Sequence, residues 1–279
     1  MPSVEELPAW SEPFNPETRG GLIRLPALET IDREWAFGGA TGEGVSVAII
    51  DSGVEGDHPA VRGRLKESWA IEMQAGEPKV VREPVAGDLF GHGTACAGII
   101  AGMAPLVDIV SIRVLGSDLK GKGAAFAEAL DMAIRRPVRV ANLSLSSKSD
   151  ALFPVFHELA DQAYFSGVVL VSAANNVPGP SYPSLFSSVI SVAAHPDPDP
   201  WRFYYNPKPP VEFGAWGVDV PVAWRDGGMT VATGNSFAAP HITALVALIL
   251  SKHPGLTPFE IKAILAAVAN NERSASTAA

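Results

Sequence analysis

Residues 45–51 read VSVAIID, and Ser52-Gly53 follow at once. Such a short, almost unbroken apolar and β-branched run is the pattern of a strand covered on both faces. The chain turns as soon as it has delivered the carboxylate of Asp51. Four further runs repeat the pattern, at 108–115, 138–145, 168–173 and 189–194. Helical patterns separate them, at 94–102, 124–135, 155–166, 237–252 and 258–270. In 124–135, Phe126, Leu130, Ala133 and Ile134 make one apolar stripe. Residues 237–252 are apolar nearly all round, which predicts a buried helix with Pro240 in its first turn. Thr257, Pro258 and Glu260 announce the last helix with a capping box. This alternation predicts an α/β fold, a doubly wound, mainly parallel sheet with helices on both faces.

Outward from these elements, residues 1–21 hold four prolines and little apolar periodicity and read as an extended arm. Residues 22–270 read as one domain and 271–279 as a flexible tail. The 279 residues carry 21 Lys+Arg against 30 Asp+Glu, a net charge of −9. That balance argues against a nucleic-acid partner, which requires a basic face. One cysteine, Cys96, excludes an intramolecular disulfide framework and a cysteine-rich metal site. The longest apolar stretch is too short to span a bilayer, so no membrane partner is expected. The acidic, Pro-rich start lacks the basic and apolar regions of a signal peptide, which predicts a cytoplasmic location. A monomer is expected.

Four polar residues sit where chemistry would need them. Asp51 lies at the carboxyl end of a strand, where ligands gather in open α/β sheets, although an Asp opening a turn is common. His92 stands between Gly91 and Gly93 in DLFGHGT, just before a small-residue helix. Ser236, in TGNSFAAPH, opens the buried helix, whose N-terminus offers free N–H groups; a simple helix cap is the plainer alternative. Asn175 ends the strand VVLVSAAN with an amide able to donate to an oxyanion. Asp, His and Ser follow in that chain order, spaced by 41 and 144 residues.

VAIIDSGVEGDHP, DLFGHGTACAG and ATGNSFAAPH resemble the three catalytic blocks of subtilisin-like serine proteases, the subtilase family. LVSAANN is similar to its oxyanion block and NLSLSS to its substrate-binding strand. The resemblance runs from about Ile23 to Ala269. It implies a subtilisin-like peptidase domain needing no cofactor and a serine endopeptidase working through an acyl-enzyme. Asp51 would orient His92, His92 would move the proton of Ser236, and Asn175 with the Ser236 N–H would hold the oxyanion. Gly121, Leu143, Ser144, Leu145, Ser146, Ala173 and Ala174 would bind an extended peptide or protein substrate.

The sequence departs from the family pattern in places. Ala174 stands where the residue before the oxyanion Asn is usually Gly, and Ser146-Ser147 where Gly-Gly is usual. Added side chains would narrow the pocket for the residue before the scissile bond. Asn235 replaces a Thr, Phe237 a Met and Ala95 a His. No insertion follows Gly102 to form the calcium loop of many relatives, so no calcium is expected there. Cys96, one helical turn from His92, reads as a small buried hydrophobe. The Pro-rich aromatic stretch 195–216 reads either as a substrate-gripping rim or as a rigid surface loop. These departures favour a selective enzyme, with action in peptide or precursor maturation as one expectation. The alternatives are a ligase or cyclase using the same acyl-enzyme, and a non-catalytic peptide-binding protein. An α/β-hydrolase esterase would need G-x-S-x-G and Ser ahead of the acid and His, which this chain lacks.

Overall fold

The computed structural model describes residues 11–272 except 15, 16, 23, 24, 86 and 209. Much of the expected arm and residues 273–279 of the tail lie outside the described residues. Within the arm, Glu12–Phe14 and Arg19–Gly21 form 3-10 turns. Asn271 is tied by its side chain to the main chain of Tyr205.

The chain first forms α1 (Arg33–Phe37), then β1 (Ser46–Asp51). An antiparallel hairpin follows, β2 (Leu65–Gln74) and β3 (Glu77–Arg82), and then α2 (His92–Met103) and β4 (Asp108–Arg113). Next come α3 (Gly123–Ile134), β5 (Val140–Leu143), α4 (Phe153–Phe165), β6 (Val169–Ala173) and β7 (Ile190–His195). Short strands β8 (Phe203–Tyr205) and β9 (Phe213–Trp216) precede a second hairpin, β10 (Val220–Trp224) and β11 (Gly228–Ala232). Helices α5 (Asn235–Lys252) and α6 (Pro258–Val268) end the fold.

Among the described residues, nine strands make the main sheet, in the order β3-β2-β4-β1-β5-β6-β7-β9-β8. Seven run parallel, and only the two edge strands, β3 and β8, are antiparallel to their neighbours. The five apolar runs read as strands are β1, β4, β5, β6 and β7, the core of this parallel set. One face packs Val47, Ile49, Val169 and Val171 against α2, α5 and α6. The other packs Ile50, Ile112, Leu143 and Leu170 against α3 and α4. Strand β1 lies between β4 and β5, which succeed it in sequence on opposite sides. The order therefore reverses at β1, and Asp51 ends β1 at that switch point, where a crevice opens in doubly wound sheets.

Helix α5 is buried along nearly its whole length, as its composition demands. It begins at Asn235, so Pro240 stands in its second turn rather than the first. The capping box of α6 is complete: Thr257 Oγ1 accepts from Glu260 N, and Thr257 N donates to Glu260 Oε2.

The two hairpins and the pair β8–β9 are absent from the sequence expectation. The stretch 195–216 is neither a free rim nor a plain loop, because β9 extends the sheet beside β7 and buries Phe213 and Ala215.

Candidate active site

Strand β1 brings Asp51 to the edge of a crevice, where it is 1% exposed. His92 is the first residue of α2, two residues earlier than the helix expected at 94. Its Nδ1 faces both Asp51 oxygens, each at 2.9 Å. The main-chain N–H of Ser52 also donates to Asp51 Oδ1, at 2.7 Å. Burial alone would pull the His92 imidazole down. The Asp51 charge and hydrogen bond, with Asp88 acting in the same direction, outweigh it and hold the group above its ordinary value. With Nδ1–H directed at Asp51, the lone pair of Nε2 is left for a proton acceptor's work.

Ser236 lies in the first turn of α5, and its side chain opens on a cavity of about 250 Å³ shared with His92. The main-chain N–H of Ser236 belongs to the helix's first turn, for which the helix supplies no acceptor. The carbonyl of Ser236 is free for another reason. In a regular helix it would receive the N–H of residue 240, and Pro240 has none. Ser144 Oγ donates to it instead, at 2.8 Å. Asn142 Nδ2 donates to Ser144 Oγ and Thr243 Oγ1 donates to Asn142 Oδ1, both at 2.9 Å. A buried polar chain thus runs from mid-α5 through β5 to the residue that presents the hydroxyl.

The structure corrects the assignment of Asn175. Its Nδ2 donates to Pro180 O at 2.9 Å, so the amide belongs to the pocket wall. Its neighbour Asn176 faces the serine. Asn176 Oδ1 accepts from Asn235 N at 2.9 Å. The point where a Cβ on Gly234 would stand lies 3.2 Å from Ser236 Oγ and 3.5 Å from Asn176 Nδ2. A side chain at 234 would occupy that point. Beyond the last strand residue, Ala173, side-chain direction is set by the turn, and a slip of one residue reverses it. The signal available in the sequence was the doublet Asn175-Asn176 itself. We expect Asn176→Ala to lose about 10²–10³ in kcat, the loss usual for one oxyanion donor. Asn175→Ala should stay within about tenfold, and peptide kinetics on the two variants distinguish them.

With Asn176 facing the serine, the residue before it is Asn175, so the place expected to hold glycine is Asn175 and not Ala174. Asn235 braces this turn: its Nδ2 donates to the carbonyls of Ala174 and Asn175, and its Oδ1 accepts from Ala194 N.

Of the expected substrate-binding residues, Ser144, Leu145, Ser146, Ala173 and Ala174 line the cavity. Gly121 lines an adjoining cavity of about 330 Å³ with Leu145, Ser146 and Ser147. Leu143 does not reach either one. It is fully buried inside the sheet, where α3 and α4 cover it, and is a core residue.

Cys96 is buried, 3.3 Å from Ser144 Oγ and 3.9 Å from Asp51 Oδ2. Burial and the Asp51 charge push its thiol well above the usual range, so it is no nucleophile here. Phe237 and Ala95 pack in one cluster with Val220 and Val222, and the Phe237 ring centre is 5.1 Å from that of His92. The small residue at 95 and the large one at 237 thus share one packing site.

Residues 42–278 match the model of the subtilase family. The chain is 30% identical over 235 residues to the thermostable alkaline protease of Halalkalibacterium halodurans, covering 80% of this chain and 62% of that protein. It is 30% identical over 248 residues to subtilisin DY of Bacillus licheniformis, covering 84% and 86%. A solved cold-adapted subtilisin-like serine proteinase superposes with a TM-score of 0.72 at 26% identity, covering 90% of this chain and 93% of that one. Another relative, at 27% identity, is the minor extracellular protease Epr of Bacillus subtilis. Such relatives, one of them extracellular by name, overturn the cytoplasmic location read from the N-terminus. No described helix is long and apolar enough to cross a membrane.

Proposed function

This chain belongs to the subtilase family and is a serine endopeptidase, and from that premise we propose that it is a selective one, with Asp51, His92 and Ser236 as its triad. The observation that carries the reading is the buried Asp51 holding His92 Nδ1 with both oxygens, beside a cavity that His92 and Ser236 share. Ser236 Oγ attacks the scissile carbonyl while His92 Nε2 takes its proton. The oxyanion that forms lies near Asn176 Nδ2 and the Ser236 N–H. His92 then returns the proton to the leaving amine, and water releases the acyl group by the same steps reversed. The substrate is a peptide or protein chain lying extended along residues 119–123 and 144–146.

Selectivity is inferred from the pocket for the residue before the scissile bond. Ser146 and Asn175 add side chains where the family usually has none. Adding atoms to a packed wall costs about 1–3 kcal/mol, or roughly 5- to 150-fold in kcat/KM against a bulky aromatic residue. In a peptide series varying only this position, Ala and Ser should outperform Phe and Tyr. The Ser146→Gly and Asn175→Gly variants should broaden acceptance. A wild-type preference for Phe or Tyr overturns the narrowing. Fluorophosphonate labelling mapped to Ser236 tests the serine mechanism itself.

A further inference from the structure

We propose that Asp88 is a positioning residue for the Asp51–His92 pair, setting its geometry through Ser52 and Thr94. The inference rests on the serine mechanism above and assigns a carboxylate that this mechanism does not use.

Asp88 lies four residues before His92, and its carboxylate accepts five hydrogen bonds. Oδ1 accepts from Ser52 Oγ at 2.7 Å, Phe90 N at 3.0 Å and Gly91 N at 2.7 Å. Oδ2 accepts from Thr94 N at 2.8 Å and Thr94 Oγ1 at 2.7 Å. The Gly91 N-cap of α2 has no side chain with which to cap the helix. Two of the N–H groups orphaned at that end are satisfied from outside: Thr94 N by Asp88, and Gly93 N by Ser52 Oγ at 3.1 Å. The Ser52 hydroxyl therefore donates to Asp88 and accepts from the residue after His92. Main-chain pairing seals the same junction, with Leu89 N donating to Ser52 O at 3.0 Å. Thr94 Oγ1 accepts from Glu55 N at 3.0 Å.

Asp88 thus grips the residue after Asp51 and the residues on both sides of His92. Together with the main-chain bridge between Gly53 and Asp88, these bonds hold the two segments at the distance where His92 Nδ1 meets both Asp51 oxygens. A short, half-buried carboxylate with this many donors is rigid, and five charge-assisted bonds are far more than a surface turn needs. Its charge acts on the imidazole as well. The charged and titratable groups facing His92 are Asp51 at the end of β1, Asp88 in its own loop and Cys96 one turn along α2. Helix α5 presents Ser236 and Phe237, and the β10–β11 hairpin brings Arg225, which donates to Leu89 O. Asp88 is the second carboxylate raising His92.

Asp88→Asn leaves one acceptor oxygen where two grip opposite sides of the junction. We expect kcat to fall about 10²-fold with KM little changed, as for a small misplacement of a reacting group. The acid limb of kcat/KM should move to lower pH, because one of the charges raising His92 is gone. Ser52→Ala keeps the charge and cuts the relay to Gly93, so it should lower kcat and leave the acid limb in place. Rates are taken per folded molecule, from melting curves on the same samples. A folded Asp88→Asn enzyme with wild-type kcat and acid limb overturns the proposal. If that variant does not fold, Ser52→Ala with wild-type kcat overturns it. Wild-type Ser236 that takes no fluorophosphonate would instead sink the serine mechanism, whatever Asp88 does.

Discussion

Ser236→Ala is expected to abolish turnover while leaving the melting temperature close to that of the parent. The substitution removes one hydroxyl from the rim of the cavity and nothing from the core. What Ser236 contributes to the architecture is its carbonyl, which accepts from Ser144 Oγ and lies 3.8 Å from Cys96 Sγ. Alanine keeps that carbonyl and favours the first turn of α5. Catalysis, in contrast, loses its nucleophile. Loss of the serine from a subtilisin triad lowers kcat by about 10⁶, and the remaining acceleration comes from the oxyanion site and binding alone. Peptide cleavage and fluorophosphonate uptake should disappear together in a protein that still melts cooperatively. Cleavage within tenfold of the parent would point to another nucleophile. Cys96 is the only cysteine, and its environment keeps it a thiol.

The strands that place the site were legible because burial on both faces writes itself into composition. VSVAIID at β1 has no other economical reading, and Asp51 at its end follows from the turn Ser52-Gly53. His92 and Ser236 were legible through their glycine-rich and small-residue neighbours, which the crevice requires. Asn176 was not legible in the same way. Two adjacent asparagines are equal in composition, and which one faces the serine is decided by a bond to Asn235 N and a turn closed by Pro180 O. The hairpins divide on similar grounds. Asp226-Gly227 has positive φ at both residues, and its sequence is a strong turn signal between β10 and β11. Ala75-Gly76 makes the corresponding turn between β2 and β3, with alanine at φ 52°, a choice that no propensity would suggest. In 195–216 the prolines mask strands of only three and four residues, whose place is decided by pairing, β9 with β7 and β8 with β9.

Asp51→Asn should separate the two services of the buried carboxylate, tautomer control and charge. The side chain is nearly isosteric, so packing around β1 is kept. The amide cannot accept with both atoms, however. Its NH₂ can donate to Nδ1 and favour the imidazole tautomer with hydrogen on Nε2, which cannot then take the proton of Ser236. A loss of about 10⁴ in kcat is expected, the order found when the orienting aspartate of a serine triad becomes asparagine. The pH dependence carries the sign. In the parent, His92 is held above its ordinary value, and only the neutral form is a base, so kcat/KM rises with pH through that elevated value. Without the Asp51 charge, burial, already the largest single influence, is no longer outweighed and draws the imidazole down, so the residual activity should keep its level to lower pH. Stability must follow the opposite course. A raised folded-state value stabilises the parent fully below the unfolded histidine value, and that contribution is lost as pH rises through the folded one. In Asp51→Asn the lowered value makes the fold lose stability as pH falls below the unfolded value. Melting curves taken across both sides of the ordinary histidine range, together with kcat/KM profiles, test both signs. An unmoved acid limb, or activity within tenfold of the parent, would remove Asp51 from its place behind His92.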